Sequence, residues 1–287
     1  MKLIPCEVKV YAEEKGLKIY QPEKIKDNKE IIDIIKSINP DVICVVAYGK
    51  IIPKEILDIP KYGCINVHPS LLPKYRGPAP IQWAILNGDT KTGVSTMYLD
   101  EGMDSGDIIL QEETAINKDE TSGELWSRLS KVGASLLVKT LEQIEKGEAP
   151  RKKQGNEFVL APMLEKEMSK INWEEKSAEE IKNLVRGLNP IMGAYTDLNG
   201  KKIKFWKVDV LTQNDFIEKY PEFKEYEYRF GNIEPGTVIY VDKKEAIYVI
   251  AKEGILKILE IQGENAKKMP TAEFLKGNKI EVIDKFE

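Results

Sequence analysis

Asn66, His68 and Ser70 alternate along the end of a mainly apolar run, residues 63–67, and its exit through Pro69. In an extended strand the two-residue period puts Asn66 and His68 on one face, so the two side chains can aim at one spot. Asp104 lies in a second polar stretch, residues 100–107, that also holds Gly102 and Gly106. An amide, an imidazole and a carboxylate in one cleft would supply a donor for developing negative charge, a proton-transfer group and an anion that orients the ring. Such a set needs no activated serine or cysteine, and it suits direct transfer of an acyl-like group between two bound substrates. Singly, each residue also has an ordinary reading: a packed histidine, a turn-capping asparagine, a loop carboxylate beside Gly106. Polar residues that follow Cys64-Ile65 in a buried strand must find partners or a function, because burying them bare costs free energy.

The elements that would position this set follow from periodicity. From Val8 to about Asp209 short apolar runs alternate with amphipathic stretches, the pattern of an α/β layered fold. Residues 7–15 read as a helix and residues 17–20 as a short strand. Residues 28–38 read as a helix stopped by Asn39-Pro40, and residues 41–47 as a parallel strand buried on both faces. A short helix at 53–57 leads into the strand at 63–67, whose carboxyl end is where open α/β sheets bind ligands. Residues 80–87 read as a helix, and strands at 92–99 and 108–116 bracket the Asp104 loop. Thr121, with Glu124 three residues on, is a capping box opening a helix that runs to about Lys146. Residues 148–170 have little periodicity and read as a linker. A second capping box, Ser177 with Glu180, opens a helix halted at Asn189-Pro190. Strands at 201–211, 236–241, 246–251 and 255–261 then have the grammar of a small barrel. The expected division is 1–147, a linker at 148–170, and 171–287.

Composition narrows the possibilities. The 287 residues are 42% hydrophobic, enough to bury a core in each of two domains. With 43 basic against 47 acidic residues the net charge is −4, so a polyanion must be held locally rather than by bulk charge. No apolar run reaches the length of a membrane span and the start lacks a signal-peptide core, so the chain reads as cytosolic. The three cysteines, Cys6, Cys44 and Cys64, are expected to be buried small hydrophobes, and one histidine argues against a zinc site.

Residues 63–77, GCINVHPSLLPKYRG, together with the loop at 100–107, resemble the signature of the folate-dependent formyltransferases. Further likeness lies at PCEVK (5–9), VVAYG (45–49), RGPAPIQ (76–82), INW (171–173), LNP (188–190) and AKKM (266–269), and so spans nearly the whole chain. The resemblance is greatest to the branch that formylates methionine carried on initiator tRNA. It implies a doubly wound, Rossmann-like α/β catalytic domain followed by a small OB-like β-barrel that contacts tRNA. It implies transfer of a formyl group from 10-formyltetrahydrofolate, without a metal, and a catalytic trio of Asn66, His68 and Asp104. Tyr48, Gly49, Ile51, Ile52, Leu99, Asp100, Glu101, Gly102 and Met103 would contact the pterin, and Ser70, Leu71, Leu72 and Pro73 the rest of the folate. For Ile51 and Ile52 plain packing is an equal reading. Lys74 and Arg76 would steer the aminoacyl end or else belong to a solvated loop. Lys201, Lys204, Lys267 and Lys268, with Lys202 and Lys207 nearby, would meet tRNA backbone or simply solvate a surface.

One departure from the family pattern stands out. The family opens with a strand, a Gly-containing turn, a helix and a basic loop, and the resemblance places Met1 inside that loop, so that roughly forty residues, about one βαβ unit, are expected to be missing upstream. The strand at 17–20 is therefore expected to lack its usual neighbour and to leave a sheet edge unprotected. A monomeric enzyme of translation initiation in the cytoplasm is the leading expectation. Its rivals are a formyltransferase acting on an amino sugar nucleotide or a purine precursor, an inactive folate- or RNA-binding remnant, and a hydrolase releasing formate.

Overall fold

The structure, a computed structural model, describes residues 4–287 and leaves aside the side chains of residues 226–229. Helix α1 (Glu7–Glu14) buries none of its side chains, whereas α2 (Lys29–Ile38), capped by the Asn28 side chain on the Ile31 amide, turns its isoleucines onto Ile25 and Ile56. Between them residues 17–22 have no regular structure, which corrects the strand expected at 17–20. Among the described residues no strand pairs with that segment, and an extended segment without a ladder is not a strand.

Strand β1 (Ile43–Val46) pairs in parallel with β2 (Cys64–His68), and between them lies α3 (Lys54–Leu57). Helix α4 (Pro80–Leu86) follows, then β3 (Lys91–Tyr98) and β4 (Ile108–Ala115), both antiparallel to their neighbours in the order β1-β2-β3-β4. The sheet is thus mixed, with one parallel pair. β1 is its edge among the described residues: Cys44 and Val46 are exposed, which overturns the two-sided burial expected for 41–47. The same exposure corrects the cysteine reading, since Cys6 and Cys44 are open and only Cys64 is buried. Burial pushes the Cys64 thiol up to about 11, with Cys44 adding to the effect.

Helix α5 (Ser122–Lys146) covers β2–β4, packing Leu125, Leu129 and Leu136, and Gly133 lets it approach Val67 and Val94. Both halves of the Thr121–Glu124 capping box form. Of residues 148–170, expected as a linker, 148–165 form no helix or strand but lie against the first half. Lys152 bridges Ile108, Leu160 bridges Arg76, and Ala161 is wholly buried.

Helix α6 (Ala178–Gly187), opened by the Ser177–Glu180 box, joins the two halves. Against the first half it packs on α4. Its Lys182, 3% exposed, reaches Asp119 (2.5 Å) and Asp209 (3.0 Å), and Arg186 donates to the carbonyls of Asn117 and Glu120. Ser122 Oγ and the Gly123 amide both donate to the Asn189 carbonyl, closing the joint. Beyond it come β5 (Ala194–Leu198), β6 (Lys201–Leu211), α7 (Gln213–Lys219), β7 (Val238–Asp242), β8 (Ala246–Ile250), β9 (Ile255–Gln262), β10 (Met269–Pro270) and α8 (Thr271–Gly277). The antiparallel order is β5-β6-β9-β8-β7, with β10 on β9. The carboxyl-terminal residues bridge the outer strands: Asp197 and Glu287 exchange backbone hydrogen bonds on one side, and Val238 pairs with Ile283 and Asp284 on the other. That tail completes the small barrel. Its core includes Trp173 stacked on Phe286 (6.0 Å) and Phe205 edge-on to both. Among the described residues no helix is long and apolar enough to cross a membrane, and no cluster of His, Cys, Asp or Glu could hold a metal ion.

Candidate active site

His68 ends β2 and is 4% exposed. Its Nε2 lies 2.8 Å from the Tyr75 carbonyl, which can only accept, so this nitrogen carries a proton and Nδ1 is the one that faces outward. Nδ1 stands 3.7 Å from Asp104 Oδ2, beyond hydrogen-bond length but within reach of a small adjustment. Asp104 Oδ2 accepts from the Gly77 amide at 2.9 Å. Tyr75 and Gly77, two residues apart, thus hold the imidazole and the carboxylate toward each other. Asn66, two positions before His68 on the same face of β2, is half-buried and its amide makes no side-chain hydrogen bond among those described.

Backbone geometry explains why Asp104 can be there. Its φ of +49° is in the left-handed region, which few non-glycine residues adopt. Gly106, two residues on, passes so close to β3 that a Cβ would sit 1.8 Å from the Tyr98 carbonyl oxygen. Asp100 braces the loop from within, accepting from the Gly102 amide (3.0 Å) and from Ser105 Oγ (2.8 Å). Gln154, from the stretch at 148–165, donates through Nε2 to the carbonyls of Asp104 and Gly106, each at 2.8 Å.

The remaining expected residues fall into three groups. Ser70, Leu71, Leu72 and Pro73 form the exit from β2 and are tightly held. Ser70 Oγ donates to the Lys74 carbonyl, the Leu72 amide donates to Ser95 Oγ, and Gln111 Nε2 donates to the Leu72 carbonyl. Leu99 packs on Leu72, Met97 and Ile108. By contrast Tyr48, Gly49 and Ile51 are exposed, Ile51 at 87%, while Ile52 packs into the α2–α3 isoleucine cluster. Glu101 and Met103 are also exposed. By register Val46 pairs with Val67, so residues 47–52 leave β1 beside His68. They border an open surface, and the two cavities described lie elsewhere: about 560 Å³ beside Trp173 and Phe286, and about 450 Å³ between α2 and α3.

The charged residues divide as well. Lys74 pairs with Asp89 at 2.7 Å, and Asp89 also accepts from the Tyr75 hydroxyl. Burial pulls the Lys74 amine down, and Asp89 and Tyr75 more than offset it. Arg76, 8% exposed, is no solvated loop residue: Nε donates to Gln154 Oε1 (3.0 Å) and the guanidinium lies 4.5 Å over the Phe158 ring. In the barrel, Lys204 and Lys268 flank the Trp206 ring at 5.8 and 5.7 Å. Lys204 also donates to the Met192 carbonyl, and Lys268 pairs with Glu260. Lys201 and Lys267 are exposed. Tyr75, Gly77 and Gln154 had no assigned role at the sequence level. The first two act through backbone groups, which side-chain identity does not reveal, and Gln154 sits in a stretch with no periodicity.

The arrangement provides a proton-carrying imidazole, a facing carboxylate and an unengaged amide at a strand end, a set able to stabilise an oxyanion and move a proton. Comparison with known proteins places the chain in a family. Residues 4–141 match the family model for formyl transferase, and residues 163–279 that for formyl transferase, C-terminal domain. The methionyl-tRNA formyltransferase of Clostridioides difficile is 49% identical over 281 residues, covering 98% of this chain and 85% of the relative. That of Caldanaerobacter subterraneus is 43% identical with the same coverage. Among solved structures, HypX from Aquifex aeolicus in complex with tetrahydrofolic acid matches with a TM-score of 0.61 at 20% identity, over 88% of this chain and 44% of that one. The sugar 3N-formyl transferase WlaRD matches with a TM-score of 0.61 at 22% identity, over 91% of this chain and 82% of its own. At such identities these two structures speak for the fold alone. By sequence over both of its halves, the chain belongs to the formyl transferase family and is an enzyme that transfers a formyl group.

Proposed function

We propose that the formyl group is taken from 10-formyltetrahydrofolate and delivered to the α-amine of methionine on initiator tRNA, by a monomer acting in the cytoplasm at translation initiation. The observation that carries this reading is identity of 42–49% over nearly the full chain to proteins named methionyl-tRNA formyltransferase. In this reading the amine nitrogen attacks the formyl carbon and the carbonyl oxygen takes up negative charge. The Asn66 amide donates to that oxygen. His68 Nδ1, the ring nitrogen not tied to Tyr75, moves the proton, and Asp104 orients the ring. The amine gives up a proton as the C–N bond forms, and the folate nitrogen takes one up as its bond to the formyl carbon breaks. Net charge in the cleft is then unchanged. The exit from β2 and the loop at 99–103 would hold the folate beside residues 48–52. The cationic flanks of Trp206, with Lys201 and Lys267, would meet tRNA phosphates and an unpaired base.

The test is a formylation assay with methionyl-tRNA and, in parallel, with an amino sugar nucleotide, each with 10-formyltetrahydrofolate. Transfer to the tRNA-borne amine alone is expected. Transfer to the sugar instead, or formate released without an acceptor, sinks the proposal.

A further inference from the structure

We infer that Gln154 is a positioning residue for formyl transfer, holding Asp104 at the imidazole through the backbone of its loop. The inference rests on the reading of His68 and Asp104 given above. Both hydrogens of the Gln154 amide are used, one on the Asp104 carbonyl and one on the Gly106 carbonyl, each at 2.8 Å. Its oxygen accepts from Arg76 Nε at 3.0 Å. These partners fix the side chain's orientation: two carbonyls require a donor and a guanidinium requires an acceptor, so a primary amide is the group that satisfies all three.

Arg76 makes this more than a loop staple. Its amide donates to Val159 and its carbonyl accepts from Ala161, while the guanidinium donates to Gln154 and lies over the Phe158 ring. It also sits between Tyr75, whose carbonyl holds His68, and Gly77, whose amide holds Asp104. One tripeptide therefore fixes the imidazole directly and the carboxylate twice: once at its oxygen, and once, through Gln154, at its main chain. Asp104 is in a left-handed conformation; Asp100, Arg151 and the Tyr98 amide brace other points of its loop, whereas Gln154 bonds the Asp104 carbonyl itself, so without it the Gly77 amide is the hydrogen bond that still holds Asp104 among the described residues. A displacement of about 1 Å in a group that acts in the transition state can cost about a hundredfold in rate.

Full-length Gln154→Leu, Gln154→Glu, Asp104→Asn and the double variant Asp104→Asn/Gln154→Leu test this. Gln154→Leu should lower kcat about tenfold to a hundredfold, with KM for folate and for methionyl-tRNA changed by less than about threefold. Gln154→Glu keeps an acceptor for Arg76 but puts an oxygen, in place of the donating Nε2, against the two carbonyls. It should lose kcat comparably, whereas a role confined to anchoring Arg76 would leave it active. In the Asp104→Asn background, Gln154→Leu should add little, because the two act as one unit; multiplying losses would overturn the inference. So would wild-type kcat in both single variants. Should Gln154→Leu fail to fold, Gln154→Glu carries the test. Hydrogen exchange of the amides at 100–107 supplies a readout that needs no turnover: it should quicken in both Gln154 variants, and unchanged exchange refutes the link to Asp104. Quickened exchange in a protein with no formyl transfer to methionyl-tRNA refutes the proposed function while supporting that link.

Discussion

The two halves of the molecule use their polar groups differently. In the first half polar side chains converge on one place: the buried Ser70, Ser95 and Arg76, with Gln111 and the half-buried Gln154, all brace the segments that carry His68 and Asp104. Several of its apolar groups, in contrast, are left in water, among them Val8, Tyr11, Val46 and Ile51. In the barrel the order is reversed. Apolar and aromatic side chains fill two clusters, and several ion pairs, such as Lys219 with Glu245, sit near the surface where they fasten strands. Polar groups in the first half hold the segments of the candidate site; in the second they fasten strands.

Substitutions should therefore separate the two halves. Phe205, wholly buried against Trp173 and Phe286, should cost about 3–5 kcal/mol of unfolding free energy as Phe205→Ala, read by urea denaturation, with kcat of the folded fraction unchanged. A similar drop in kcat would break the comparison. Asn66→Ala should do the opposite: a loss of about 10²–10³ in kcat, with a melting temperature unchanged by calorimetry, since its amide makes no side-chain hydrogen bond among the described residues. The smallest effect is on acid stability. Hydrogen bonds from Lys219 and then Lys257 hold the Glu245 carboxyl at about 2 against an ordinary 4.5. A carboxyl depressed on folding stabilises the protein fully above its ordinary value, and that contribution is lost as pH falls from 4.5 toward 2. Because Glu245 is 41% exposed the effect is modest. Glu245→Gln should flatten the dependence of melting temperature on pH across that window, measured by calorimetry, and leave kcat at neutral pH alone.

Sequence made some of this legible and hid the rest for identifiable reasons. Capping chemistry is local, so Thr121–Glu124 and Ser177–Glu180 mark the starts of α5 and α6 to the residue. The equivalent box at Thr212 uses Asp215, and α7 went unread. Strand β5 was missed because its inward residues, Ala194, Thr196 and Leu198, are only mildly apolar and alternate with Tyr195 and Asp197. The apolar run at 41–47 does form a strand, but composition does not say which of its sides finds a partner, and exposure of Cys44 and Val46 followed from that. His68 and Asp104, 36 residues apart, were legible as a pair through a motif; what holds them was not. Tyr75 contributes a carbonyl, Gly77 an amide and Gln154 a side chain from a stretch without period, and none of these leaves a pattern in the order of residue types.

The joint at α6 bears on any attempt to dissect the protein. Cutting between the halves would deprive Lys182 of Asp119, remove the guanidinium that caps the Asn117 and Glu120 carbonyls, and bare the faces of α4 and α6 that now touch. A catalytic half expressed alone would present to water a seam shaped for its missing mate, so truncation is a poor route to a minimal enzyme.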